Sequence, residues 1–409
     1  MTPAGVPSTA SALAITLWLN LVMVLASASF LAVPILAPAI AADRALPTGF
    51  VGLYSGSLWA ASILTSIAAG GLIARLGAWR VAQLSLLLCV LGLLSASAGS
   101  LAGVAMAALL IGLGNGAETP ASSQLLVRSV PADRRAAYFS LKQTGVQIGG
   151  MGGAVALPLI AGLYGWRAAL WVVAAVVVAM LVALERPRSR FADLARATPT
   201  ARSSFRVALA ELARHRLLRR LAVGAATFGA TQVCLNSFMV SYAVAERGAT
   251  LAQAGVLLAV AQGGGLTGRL LWGWLASRRR NALSMLRALG AAMAACSFGV
   301  GAFGDTAPAW LMLPLCFGFG LTASGWNGVF LAEVAHQVPL ERVGAATGAI
   351  MVLMTLGLVI GPLAFASIRA SLSFGAAFVV LGVTAAVGTT LLPKARTAED
   401  PREQGRGGG

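Results

Sequence analysis

The sequence is poor in charge, cysteine and histidine, and each shortage excludes a class of protein. Only 11% of the 409 residues are charged, whereas about a quarter are charged in a soluble domain. A soluble enzyme and a disordered tail protein are therefore excluded. The four cysteines all lie inside apolar runs, which argues against a disulfide framework. We find no metal-ligand spacing, no nucleotide-phosphate loop and no Ser-His-Asp arrangement, so the sequence predicts no metal, no cofactor and no enzyme activity.

Long apolar runs dominate what is present. Hydrophobic residues make up 58% of the chain and the mean hydropathy is +0.83. Each run is long enough to cross a hydrocarbon core of about 30 Å. The pattern predicts an all-α integral membrane protein with twelve transmembrane helices: 12–40, 50–74, 81–98, 101–127, 143–163, 168–184, 221–244, 251–276, 284–303, 309–335, 344–367 and 372–392.

The basic residues are distributed unequally between the two sets of loops. The net charge is +17, but the charge is spread over short loops rather than gathered in a patch, so nucleic acid is not an expected partner. Of the 30 basic residues, 25 lie in segments on the side of the termini and only four on the other side. Because Lys and Arg accumulate in cytoplasmic loops, both termini and the segment 185–220 are predicted to be cytoplasmic.

The two halves of the chain are repeats. The loop VPADR at 130–134 returns as VPLER at 338–342, and the glycines at 149 and 153 return at 357 and 361 with the same offset. A parallel repeat of this kind suits two halves that rock about a site between them. The predicted domains are an N-terminal six-helix bundle (1–184), a cytoplasmic basic linker (185–220), a C-terminal six-helix bundle (221–392) and a cytoplasmic tail (393–409).

Two further loops carry a family resemblance that covers the whole chain. GGLIARLGAWR (70–80) and its second copy GWLASRRR (273–280) resemble the loop signature of the major facilitator superfamily, and the VPADR and VPLER loops resemble a second signature. The resemblance implies the major facilitator fold and assigns a set of gate and loop residues: Gly70, Arg75, Gly77, Arg80, Asp133, Arg134, Gly273, Arg278, Glu341 and Arg342. The family's loop aspartate, which steadies the closed cytoplasmic gate, is replaced by Ala74 and Ser277.

Glu118, Arg269 and Glu333 are charged residues that lie within the predicted spans. Such residues are expensive in a membrane and are functional candidates. The segment GRLLWGWLAS (268–277) resembles the eighth helix of monocarboxylate and oxalate/formate transporters, in which the arginine holds a substrate carboxylate. Arg269 is the matching residue, although Gly265 replaces the aspartate of the monocarboxylate branch. A structural role for Arg269, at the gate or reaching towards the membrane surface, is the alternative.

Glu118 is the candidate for proton coupling, because a carboxylate in a low dielectric can take up and release a proton near neutral pH. We expect it to meet Arg269 in a gate when the protein is open to the outside. The alternative is a structural role, in which Glu118 is held by Arg128 or Arg269 or hydrogen-bonded within the bundle. Glu333 is expected to pair with arginines at the cytoplasmic end.

Neutral polar and aromatic residues of several spans would complete a substrate site between the halves. Individually, each is more often a contact between helices than a ligand. The candidates are Asn20, Tyr54, Asn115, Gln147, Gln232, Asn236, Gln262, Trp326 and Asn327.

Together these patterns predict a secondary active transporter of the bacterial inner membrane, working by alternating access. Its expected partners are a small organic anion (a mono- or dicarboxylate), protons and membrane lipid, and we expect a monomer. One alternative is a drug or organic-cation:proton antiporter, supported by Glu118 and by the glycine pattern Gly348, Gly357, Gly361-Pro362, which resembles an antiporter motif. A second is a non-transporting membrane sensor with a transporter fold.

Overall fold

The computed structural model describes residues 9–47, 49–131, 134–187, 215–278, 282–303, 306–337 and 343–393. Every regular element in these ranges is a helix, and twelve of the segments are long and apolar enough to cross a membrane. We number the helices in chain order. They are α1 (Thr9–Arg44), α2 (Phe50–Leu76), α3 (Ala78–Ser97), α4 (Leu101–Ser129), α5 (Arg135–Tyr164), α6 (Trp166–Ala183), α7 (Arg216–Arg247), α8 (Leu251–Arg278), α9 (Ala282–Phe303), α10 (Ala309–Ala323), α11 (Trp326–Gln337), α12 (Val343–Ser371) and α13 (Phe374–Leu391).

The helix boundaries follow recognisable local signals. Gly77 and Gly165 have φ of 81° and 84°, a conformation that favours glycine, and they separate α2 from α3 and α5 from α6. Ser100 and Ser373 cap α4 and α13 by accepting hydrogen bonds from the backbone N–H groups of Gly103 and Ala376, both at 3.0 Å.

Two predicted boundaries are wrong. The fifth span was predicted to begin at residue 143, but α5 begins at Arg135, so two additional turns of helix enter the bundle. The tenth span was predicted as one run over 309–335, but it is broken between α10 and α11 at Ser324 and Gly325. A Cβ at Gly325 would lie 2.5 Å from Cδ1 of Trp272, which shows how closely α8 passes this break.

Helix packing repeats between the halves of the chain. The pairs α1–α5, α2–α4 and α3–α6 correspond to α7–α12, α8–α10 and α9–α13. The repeated glycines have equivalent contacts: Gly149 faces the Val24 backbone of α1, and Gly357 faces the Ala226 backbone of α7. These glycines allow two backbones to approach closely, as is common in membrane helix pairs. The predicted domain boundaries remain a prediction, and most of the 185–220 segment and the 393–409 tail lies outside the described residues.

The two halves meet mainly through the helix pairs α5–α8, α2–α12 and α1–α7, with smaller contacts between α2 and α7 and between α1 and α8. Since twelve crossings bring the start of α1 and the end of α13 to one side, we call that side the terminal side and the other the opposite side. At Gly52, near the start of α2, a Cβ would lie 2.5 Å from Cβ of Ala366 and 2.6 Å from the Pro362 carbonyl oxygen in the last third of α12. Ser55 and Ser237 share a hydrogen bond of 2.9 Å between α2 and α7. The halves are therefore closed against each other on the opposite side.

Candidate functional site

Helices α5 and α8 form an antiparallel contact whose register can be followed residue by residue. On the opposite side, Gly255 of α8 meets Ala154 and Pro158 of α5. Further along, Gly150 of α5 meets the Gln262 side chain, and a Cβ at Gly265 would lie 2.6 Å from Nε2 of Gln147. As the residue number rises along α8, the number of the contacting residue falls along α5 by about the same amount. The middle of α5 therefore packs against the middle of α8.

One more turn in this register places Gln143 of α5 opposite Arg269 of α8, because four residues span about 6 Å of helix. Gln262, Gly265 and Arg269 are spaced three and four residues apart, so they lie on one face of α8. This face is the one that packs against α5. On α5 the matching face carries Gln143 and Gln147. Sequence reasoning proposed Gln147, Gln262 and Arg269 as site residues, and this register brings them together.

Ser324, at the break between α10 and α11, also packs against Gly265. Its Cβ lies 2.8 Å from the position that a Cβ on Gly265 would take. We call Gln147, Gln262, Gly265, Arg269 and Ser324 the Gly265 cluster. Ser324 was missed in the sequence because the tenth span was read as unbroken. The absence of a side chain at residue 265 leaves room for the cluster's polar groups to converge.

Five polar side-chain atoms of the Gly265 cluster are buried without hydrogen-bond partners among the described residues. They are Nε2 and Oε1 of Gln147, Nε2 of Gln262, Nε of Arg269 and Oγ of Ser324. An unsatisfied buried polar group costs about 1–3 kcal/mol, so several in one place are typical of a site that receives its partners from a ligand or from water. Oε1 of Gln143 is unsatisfied in the same way.

Glu118 forms a buried ion pair with a residue that the sequence analysis placed in a loop. Nζ of Lys142 lies 3.2 Å from Oε2 of Glu118, and the side chains are 2% and 1% exposed. In this conformation the partner of Glu118 is therefore Lys142 rather than Arg128 or Arg269, and the gate with Arg269, which is expected when the protein is open to the outside, stays a prediction. The misplacement of Lys142 has a simple cause: α5 begins at Arg135, which carries Lys142 two turns into the bundle instead of leaving it in the 128–142 loop.

Asn20 of α1 fixes the same turn of α5. Its Nδ2 donates to the backbone carbonyl oxygens of Leu141 and Lys142 at 2.8 and 3.2 Å and to Oγ1 of Thr144 at 3.2 Å. Asn20 was proposed as a substrate ligand, but in this conformation its amide holds α1 against α5 beside the ion pair.

The other predicted site residues make contacts away from the Gly265 cluster. Tyr54 donates to the Phe30 carbonyl oxygen at 3.2 Å, and Asn115 to Oγ of Ser62 at 3.5 Å, which links helices within the N-terminal half. Asn236 is buried in α7. Asn327 donates to Oε1 of Gln232 at 3.4 Å, and the fully buried Trp326 packs edge-on against Phe228 and Phe330.

The arginine at the end of the first loop motif forms an ion pair within the N-terminal half. Nη1 of Arg80 contacts Oε1 of Glu185, and Gln83 donates to the same oxygen at 2.9 Å, so the start of α3 is tied to the end of α6. In the second copy, the Arg278 guanidinium lies 4.2 Å from the centre of the Trp274 ring.

The remaining motif positions differ in their surroundings. Arg75 is exposed, and a Cβ on Gly70 or Gly273 would meet open space. Arg134 immediately precedes α5. Asp133, Glu341 and Arg342 lie outside the described residues.

The class of protein follows from a comparison with known families. The family model described as "Major Facilitator Superfamily" matches residues 17–362. The chain belongs to the major facilitator superfamily. Twelve candidate spans make this member a multi-pass membrane protein, and the family indicates a transporter rather than an enzyme. No curated protein sequence matches the chain.

Solved structures of other transporters share this member's fold. A D-xylose–proton symporter has a TM-score of 0.73 at 16% identity, covering 93% of this chain and 97% of its own. A nucleoside transporter has a TM-score of 0.76 at 14% identity, covering 92% and 98%. An inward-facing, occupied structure of a bacterial homologue of the human lysosomal transporter Spinster has a TM-score of 0.70 at 15% identity, covering 94% and 95%. At these identities the likeness shows the fold alone.

Proposed function

We propose that this superfamily member is a secondary active transporter that moves a small organic anion, a mono- or dicarboxylate, together with protons across the bacterial inner membrane. The observation that carries the proposal is the position of Arg269 beside the unsatisfied polar groups of the Gly265 cluster. A guanidinium binds a carboxylate through two parallel hydrogen bonds. The neighbouring amide and hydroxyl groups would orient the rest of a small polar substrate.

The charge balance at the contact between the halves favours an anion over an organic cation. The Glu118 carboxylate is neutralised by Lys142, and Arg269 forms no salt bridge within the described residues. The formal charge of these three groups is therefore positive. A drug or organic-cation antiporter would need a free carboxylate, and Glu118 is not free in this conformation. Gly357 and Gly361 of the antiporter-like pattern pack against α7.

Proton coupling is assigned in this proposal to Glu118, as the sequence predicts. Its Oε1 is buried without a hydrogen-bond partner, and its Oε2 accepts from Thr119 at 3.2 Å in addition to Lys142. An oxygen without a partner in a buried site is available to receive a proton. The charge distribution of the loops supports a cytoplasmic location of both termini.

Substitution of Arg269 tests the proposal directly. We expect Arg269→Ala to weaken carboxylate binding by about 2–5 kcal/mol, because it leaves the substrate charge buried without its partner. Arg269→Lys should retain only part of the binding, because lysine keeps the positive charge but its ammonium cannot form the planar fork. The measurement is a thermal-shift and uptake screen of the purified protein against carboxylates, sugars and lipophilic cations, with Arg287→Lys in α9 as the matched control. Binding of the true substrate that is unchanged in Arg269→Ala would refute the anion hypothesis.

A further inference from the structure

The buried pair of Glu118 and Lys142 has a consequence for the charge of the substrate. Lys142 is the basic side chain that faces Glu118 from α5, and α1 contributes the neutral amide of Asn20 at the same turn. Cys89 of α3 lies within electrostatic range of Glu118, and Tyr54 of α2 lies within range of Cys89. Arg128, on α4 itself, is ten residues further along, or about 15 Å.

Protonation of Glu118 leaves Lys142 with a charge that has no counterion. An unpaired buried ammonium is strongly unfavourable, because its desolvation is no longer offset by an opposite charge. When Glu118 is ionised, it neutralises Lys142, and only the charge of Arg269 lacks a counterion. When Glu118 carries a proton, both Lys142 and Arg269 lack a counterion. Proton uptake is therefore favourable only when a second negative charge arrives.

Lys142 and Arg269 lie on the contacting helices α5 and α8, and extending the register of these helices by one turn puts the two residues at a similar level of the bundle. Lys142 is adjacent in sequence to Gln143, and the antiparallel register places Gln143 opposite Arg269. Lysine carries its ammonium on a flexible four-carbon stem, so Lys142 can turn from α4 towards α8 once Glu118 is neutral.

We propose that the substrate is a dianion, a short dicarboxylate, and that it binds together with one proton. One carboxylate is held by Arg269, and the other replaces Glu118 as the counterion of Lys142 while Glu118 carries the proton. This inference rests on the proposed anion transport and deepens it by naming the charge of the substrate and a specificity-determining residue, Lys142. Proton and dicarboxylate then bind cooperatively. The second carboxylate supplies the counterion that Lys142 loses when Glu118 is protonated, and the proton removes the negative charge of Glu118 that would repel this carboxylate.

The experiment compares two sets of ligands of matched chain length on the purified full-length protein. The dicarboxylates are malonate, succinate, glutarate and malate, and the monocarboxylates are propionate, butyrate, valerate and 3-hydroxybutyrate. Titration calorimetry in two buffers of different ionisation enthalpy gives both the affinity and the number of protons taken up. For the unmodified protein we expect one dicarboxylate to bind at least tenfold more tightly than its monocarboxylate partner, with about one proton taken up.

Two variants separate the roles of the pair. Glu118→Gln should bind the same dicarboxylate without proton uptake, because the amide leaves Lys142 permanently available. The double variant Glu118→Gln with Lys142→Gln removes both buried charges at once, so it remains folded even if Lys142→Gln alone does not. We expect it to lose the preference for the dicarboxylate and to bind the matched monocarboxylate as well or better.

Three results would overturn the inference. If monocarboxylates bind the unmodified protein as tightly as dicarboxylates and without proton uptake, the dianion is wrong and the proposed anion transport stands. If the double variant keeps its dicarboxylate preference, Lys142 is not the second anion partner. If no carboxylate in either set binds, both this inference and the proposed function fail.

Discussion

Replacing Gly52 with valine should shift the protein away from the conformation described here and towards one that is open on the opposite side. Gly52 lies where α2 crosses α12. A Cβ atom added to Gly52 would lie 2.5 Å from the Ala366 methyl group and 2.6 Å from the Pro362 carbonyl oxygen. A valine side chain would overlap both atoms. If the halves rock apart on this side, the overlap disappears, so the substitution penalises only the closed arrangement.

The size of the shift follows from the cost of overpacking. Adding methyl groups to a well-packed contact costs about 1–3 kcal/mol, and each 1.4 kcal/mol changes an equilibrium constant about tenfold. We therefore expect the ratio of the two conformations to change by roughly 5- to 150-fold. Because only one conformation contains the clash, folding itself should be much less affected than this ratio.

The assay is the labelling rate of a cysteine at residue 237 by a membrane-impermeant maleimide, in a background without the four native cysteines. Ser237 is only 4% exposed and contacts Ser55 across the closed interface. Labelling should accelerate in Gly52→Val and remain slow in Gly162→Val, a control glycine in α5 with open space around its Cβ position. If Gly52→Val folds and labels no faster than the control, the α2–α12 contact does not hold the opposite side closed.

Two further substitutions or fusions test the site and the orientation. Gly265→Val should abolish substrate binding while leaving the protein folded, because its side chain would fill the space between Gln147 and Ser324; a thermal-shift response to the substrate equal to that of the unmodified protein would contradict the site. A reporter fused after Gly409 should read cytoplasmic and a cysteine introduced in 304–308 should be labelled from outside; external labelling of a cysteine in 185–220 in intact cells would overturn the orientation.

Much of the fold could be predicted from local sequence. Runs of apolar residues are visible without knowing what they pack against, since each must by itself be long enough to cross the bilayer. The repeated glycines were equally visible, and their contacts are equivalent in the two halves: Gly149 with α1 and Gly357 with α7. The boundaries were less accurate where a helix continues past its apolar part, as at the start of α5, because hydropathy does not detect a charged residue that is buried by a partner.

The candidate site was only partly predictable for the same reason. Arg269 and Glu118 stood out as charges inside apolar runs, but their partners depend on distances between helices that the sequence does not contain. Lys142 was placed in a loop, and Ser324 lay unnoticed in a predicted continuous helix. By itself, the sequence determined which segments enter the membrane and where charge is buried, because both depend on residue composition within a single segment. Only the tertiary structure decided that Glu118 pairs with Lys142 and that Gln147, Gln262, Arg269 and Ser324 converge on Gly265, because those contacts are set by the register and crossing of α4, α5, α8 and α10.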